Sequence, residues 1–168
     1  MIAVDSLNHV ALTVSDIDSS LRFFVDGLGL RRTLTKPVGA ATWLMLGLPE
    51  ETGGQSVFVQ GSQRVGQIEL VQWDRPPYPE RGVAPGQVGH VVLSFPIPRE
   101  YIGELHERLA GLGFPCTELR ETVIVNYGPV AVFVATGPDG YQAEVISLPS
   151  RNEVKAFRDA VAGAAADG

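Results

Sequence analysis

The chain has 168 residues, enough for one domain with a substantial core or for two small fused modules. Its 45% hydrophobic and 19% charged residues suit a globular protein in water, and a net charge of −6 argues against a nucleic-acid surface. A single cysteine, Cys116, excludes an internal disulfide, and no apolar run approaches the roughly 20 residues of a membrane span. The opening MIAVDSLNHV lacks the basic and apolar regions of a secretory signal, so a cytoplasmic protein with neither nucleic-acid nor membrane partners is expected.

Taken in chain order, LNHVALTV (7–14) alternates as a strand, with Val10, Leu12 and Val14 on one face and His9, Ala11 and Thr13 on the other. Next, DIDSSLRFFVDGLGL places Leu21, Phe24, Val25 and Leu28 at helical spacing, with Asp18 or Ser19 as cap and Gly27 and Gly29 at the exit. RRTLTKP, QSVFVQG and QIELVQW read as strands, while AATWLMLGL (40–48) suits either a short helix or a strand. Residues 74–87, DRPPYPERGVAPGQ, are proline-rich and form a natural linker.

The pattern then repeats. VGHVVLSF (88–95) alternates like the first strand, and His90 stands 81 residues after His9. A helix follows Pro98, with Ile102, Leu105, Leu109 and Leu112 on its apolar face and Gly-Leu-Gly at 111–113 as its exit. TELRETVIV, VAVFVATG and YQAEVIS are strand-like, with Gly137-Pro138-Asp139-Gly140 as a turn. Each half is therefore β-α-β-β-β, with module one at 6–73 and module two at 88–148. The tail, 149–168, carries Ser150 and Glu153 at capping-box spacing and an apolar stripe of Val154, Phe157 and Val161; it reads as a helix that frays after Ala162.

The chemistry lies in the repeat. QIELVQW carries Glu69 and YQAEVIS carries Glu144, so each half supplies a histidine on its first strand and a glutamate on its last, 60 and 54 residues apart. Taken singly, a strand histidine is usually a hydrogen-bonded core or surface residue, and a strand glutamate usually faces water. Corresponding placement in two repeats favours a shared task. Carboxylates are rarely buried without a partner, and a divalent cation would supply one. Mixed nitrogen and oxygen donors suit zinc, nickel, cobalt, manganese or iron.

LNHVALTVSDIDSSLRFFVDGLGL, QIELVQW, VGHVVLSF and GPDGYQAEVIS together resemble the vicinal oxygen chelate superfamily, which holds glyoxalase I, methylmalonyl-CoA epimerase, extradiol dioxygenases, and fosfomycin and bleomycin resistance proteins. The resemblance runs from about Ser6 to Ser147. It implies an α+β fold in which two β-α-β-β-β modules curl into an open barrel around one metal, held by His9, Glu69, His90 and Glu144. Glu69 resembles the fourth ligand of the glyoxalase I pattern; the epimerase pattern usually has glutamine there. A dioxygenase would use His9, His90 and Glu144 alone. The resemblance thus favours a lyase or isomerase that acts on a small oxygenated substrate through a metal-stabilised enolate, with Glu144, or else Glu69, as the base. The alternatives are an iron-dependent extradiol dioxygenase and a binding protein that sequesters a drug or metabolite. A homodimer is implied by analogy.

Of the other residues, Gln142 and Ile146 share the expected face of Glu144, and Gln67, Val71 and Trp73 that of Glu69. Trp43, Phe58, Tyr127 and Phe133 are candidates for an apolar wall, and Arg22, Arg64 and Arg75 for anion binding. His106 is expected to be structural, and Cys116 has no base beside it in the sequence.

Overall fold

The computed structural model of the chain describes residues 6–39, 42, 45–48, 52–63, 66–74, 85, 87–125 and 127–166. The chain divides into two compact units, Met1–Val88 with Pro138–Gly140, and Gly89–Gly137 with Tyr141–Gly168.

The first unit contains β1 (His9–Thr13), α1 (Ile17–Leu21) running on into a π-helical segment (Arg22–Gly27), β2 (Arg31–Pro37), β3 (Gly54–Gln60) and β4 (Gln67–Trp73). Its sheet has the order β1-β4-β3-β2. The first and last strands pair in parallel, His9 opposite Gln67 through Thr13 opposite Val71, and the other two pairings are antiparallel. Alternation then puts Val10, Leu12, Val57, Val59, Ile68 and Leu70 on one apolar face. Helix α1 packs against β4, and its run buries Ile17, Phe23 and Phe24.

Helix α1 starts earlier than the sequence suggests. Asp16, rather than Asp18 or Ser19, is the N-cap: its extended backbone lets Oδ1 accept the Ser19 N–H at 2.6 Å. That bond also holds the Asp16 carboxyl below the usual carboxylate range. Gln72 of β4 accepts the Ile17 N–H at 2.9 Å, which ties the start of the helix to the sheet.

The second unit contains β5 (Val92–Pro96), a 3-10 turn (Arg99–Tyr101), α2 (Ile102–Gly111), β6 (Arg120–Ile124), β7 (Gly128–Thr136), β8 (Gln142–Ser147) and α3 (Arg151–Ala166). The sheet order is β5-β8-β7-β6, with β5 parallel to β8. Helix α2 buries Ile102, Leu105 and Leu109 and packs on β7 and β8. It ends in a Schellman motif: Gly113, at φ 88°, donates to the Ala110 carbonyl at 2.9 Å, and Phe114 donates to Leu109 at 3.1 Å. Gly29, at φ 75°, ends the first helical run, so both expected glycine exits stand where the chain turns.

The Ser150–Glu153 capping box is present. Ser150 N–H donates to Glu153 Oε2 at 2.7 Å, and Glu153 N–H donates to Ser150 Oγ at 3.3 Å. Helix α3 continues to Ala166 instead of fraying after Ala162, as its alanine-rich end allows. Within 40–48, Thr42, Met45 and Leu46 are helical. Trp43, Arg64, Arg75 and most of the linker lie outside the described residues. Among the described residues no helix is long and apolar enough to cross a membrane.

Candidate metal centre

In the first unit, Leu34, Phe58, Glu69 and Ala11 are direct partners across all four strands. His9 lies two residues before Ala11 and Lys36 two residues after Leu34, so alternation turns both toward the face of Glu69. His9 Nε2 is 3.5 Å from Glu69 Oε2, and Lys36 Nζ is 3.7 Å from Glu69 Oε1. The Glu69 side chain is only 13% exposed, against 39% for His9 and 46% for Lys36, so its charge depends on these partners. Phe58 lies between them: the His9 ring meets its edge at 5.7 Å between centroids, and the Lys36 ammonium sits 5.2 Å from its centre.

The histidine is also held from behind. His9 Nδ1 is 2.8 Å from Asn8 Oδ1. An amide oxygen only accepts, so Nδ1 carries a proton, and Nε2 is the ring atom turned toward Glu69. A proton or a metal ion between Nε2 and the carboxylate would satisfy both atoms. An imidazole fixed by its other nitrogen is also the usual support of a metal ligand.

In the second unit, Glu144 is the direct partner of Ser94, whose hydroxyl donates to Glu144 Oε2 at 2.6 Å. His90 does not lie on the strand, as expected, but just ahead of β5. Glu69 pairs with the residue two beyond His9, whereas Glu144 pairs with the residue four beyond His90. Relative to its glutamate, Ser94 therefore corresponds to Ala11 and not to Thr13, the match suggested by the sequence. A slip of two residues keeps every side chain on its face, which is why alternation cannot reveal it.

His90 Nε2 is buried and has no hydrogen-bond partner among the described residues. A buried ring nitrogen without a partner is uncommon and costly, and a bound ion would satisfy it. This atom and His9 Nε2 are the two observations by which the expected donors fit a divalent metal. Among the described residues, His9 and Glu69 are brought together, no ion pair joins His90 to Glu144, and no three histidine, cysteine or acidic side chains form a group.

Other expectations are decided locally. Val71 and Trp73 pack with Val38 and Leu48, and Trp73 Nε1 donates to Thr13 Oγ1 at 3.3 Å, so these residues fill the face beside Glu69. Phe133 is not a pocket wall: it packs edge-on against His106 of α2, on the helix side of its sheet. His106 Nε2 also bonds the Thr117 carbonyl at 2.9 Å, which makes it structural. Tyr127 lines a groove of about 350 Å³ beside α3. Burial pushes the Cys116 thiol up, away from nucleophilic use. The sequence reading missed Asn8, Lys36 and Ser94. Asn8 adjoins His9 in the text, but the importance of Lys36 and Ser94 depends on pairing register.

Residues 6–145 match the family model of the glyoxalase/bleomycin resistance protein/dioxygenase superfamily. Among solved structures, a glyoxalase family protein from Bacillus cereus superposes with a TM-score of 0.75 at 18% identity, covering 89% of this chain and 97% of that one. The fosfomycin resistance protein FosX from Mesorhizobium loti superposes at 0.58 with 14% identity, over 92% and 99% of the two chains. FosX from Listeria monocytogenes, in complex with Mn(II) and sulfate, superposes at 0.55 with 16% identity, over 90% and 98%. No curated protein matches the sequence.

Proposed function

Because the chain belongs to the glyoxalase/bleomycin resistance protein/dioxygenase superfamily, we propose that it is a metal-dependent lyase or isomerase of glyoxalase or epimerase type, acting on a small oxygenated molecule. His9, Glu69, His90 and Glu144 would hold one divalent ion, drawn from zinc, nickel, cobalt, manganese and iron. The observation that carries this reading is the Glu69 carboxylate beside Nε2 of a histidine whose Nδ1 is already committed to Asn8. The three-ligand dioxygenase pattern has no task for Glu69. The Mn(II) complex of one FosX supports a divalent ion within this fold.

A bound divalent ion would act as a Lewis acid toward neighbouring substrate oxygens. The chain supplies the rest. Two glutamates offset the charge of the ion, and a carboxylate within hydrogen-bond reach of the substrate carbon takes the proton. Val71 and Trp73 give an apolar floor beside Glu69. A cytoplasmic homodimer belongs to the same proposal.

The test is metal analysis of untagged protein, followed by metal binding and solvent-hydrogen exchange into candidate substrates for the parent, His9→Ala and Glu144→Ala. Stoichiometric metal, lost in both variants together with exchange, is the expected result. Iron with oxygen uptake on catechols would move the reading to a dioxygenase. Tight ligand binding without metal or turnover would make the chain a sequestering protein.

A further inference from the structure

We propose that Lys36 is a positioning residue that would compete with the divalent ion for one oxygen of Glu69, so that Glu69, rather than Glu144, would be the more weakly held of the two carboxylate ligands. This rests on the proposed function and deepens it, because it distinguishes the two glutamates of the expected ligand set.

The two glutamates differ in what surrounds them. Each Glu69 oxygen has its own partner, Oε2 facing His9 Nε2 at 3.5 Å and Oε1 facing Lys36 Nζ at 3.7 Å. Lys36 comes from β2 and reaches across β3, over the Phe58 ring, to the carboxylate on β4. Lys36 is half exposed, so holding its charge there costs little desolvation, while Glu69 is largely buried. Glu144 has a neutral partner, the Ser94 hydroxyl at 2.6 Å, and among the described residues it forms no ion pair.

A largely buried carboxylate that gives up a divalent ion needs another positive charge, or it is left uncompensated. Lys36 meets that need for Glu69 by a small rotation toward a contact already made. The Ser94 hydroxyl cannot do so for Glu144, because it brings no charge. Lys36 is therefore a positioning residue: it competes with the metal for one oxygen of Glu69 and makes this ligand the releasable one.

The experiment measures Zn2+ and Mn2+ affinity by chelator competition in the parent, Lys36→Met, Lys36→Gln and Lys36→Arg, each with and without Glu69→Gln. Thermal unfolding checks that each variant is folded. Both neutral variants should bind metal about 3- to 10-fold more tightly than the parent, the scale of a partly exposed ion pair. Lys36→Arg keeps the charge and should stay near the parent. In the Glu69→Gln background the gain from Lys36→Met should fall to less than half. Unchanged or weaker binding in both neutral variants overturns the role of Lys36, as does an equal gain with and without Glu69. A parent chain that binds no divalent metal overturns the proposed function itself, an outcome distinct from metal binding that ignores Lys36.

Discussion

His9 is held by three neighbours of different character: the Asn8 amide at Nδ1, the edge of Phe58, and the Glu69 carboxylate at Nε2. Removing the first should be felt at the third. In Asn8→Ala, Nδ1 loses its acceptor and the ring is no longer confined to one tautomer. Metal affinity is expected to fall about 10- to 100-fold, the usual loss when such a support is removed; chelator competition measures it. Glu69→Gln keeps the side-chain volume and one oxygen but removes the charge. It should weaken metal binding or slow solvent-hydrogen exchange on a similar scale, about 10- to 100-fold. Parent-like values in both assays would remove Glu69 from the ligand set. His9 and Glu69 were legible in the sequence because each occurs at a matching place in two halves. Lys36 was not, because it stands 33 residues before Glu69 on a strand that is not even its neighbour.

Among the elements, β3 and β4 set the position of Glu69, and their pairing is tight at its start. A Cβ on Gly54 would run into the Gln72 carbonyl oxygen and lie 3.2 Å from Trp73 Cα, both of them backbone that cannot rotate away. Gly54→Ala should therefore destabilise the fold by about 1–3 kcal/mol, as overpacking does. A lowered urea midpoint at unchanged slope would register it. Helix α3 offers a test with pH. The Ser150 hydroxyl first, and its backbone N–H second, hold the Glu153 carboxyl below its ordinary value of 4.5. A lowered folded-state value means that the capping box contributes fully above about pH 4.5 and is lost as the pH falls through the folded value. Amide shifts of residues 151–154 should report unwinding of the first turn on acidification, and Ser150→Ala should show that unwound turn at every pH. The sequence showed this cap because it lies within four residues. It misplaced the cap of α1, because Asp16, Asp18 and Ser19 all have suitable side chains and only the backbone at Asp16 turns one of them onto the helix.

At the scale of the whole molecule, the proposed metal binding would be linked to folding. Glu69 lies against the His9 nitrogen, and His90 Nε2 is buried without a partner among the described residues. An ion held by the proposed ligands would bind the folded chain and not the unfolded one. Metal at a hundredfold excess over its dissociation constant should stabilise the protein by about 2.7 kcal/mol, and a chelator should reverse the gain. Thermal unfolding with and without metal measures this. In a doubly substituted chain carrying His9→Ala and Glu144→Ala, added metal should leave the unfolding temperature unchanged.

The sequence by itself determined the repeated β-α-β-β-β order, the glycine exits of both helices, and the presence in each half of one histidine at or just before the first strand and one glutamate on the last. These are local properties, set by alternation, helical period and turn chemistry within some 10 to 20 residues. Tertiary structure decided the register: Glu69 opposite Ala11, Glu144 opposite Ser94, and Lys36 reaching over Phe58 to Glu69. Alternation assigns a residue to a face and is blind to a slip of two. Which side chains touch across strands is settled only when the strands pair, and the partners of Glu69 then come from three different strands.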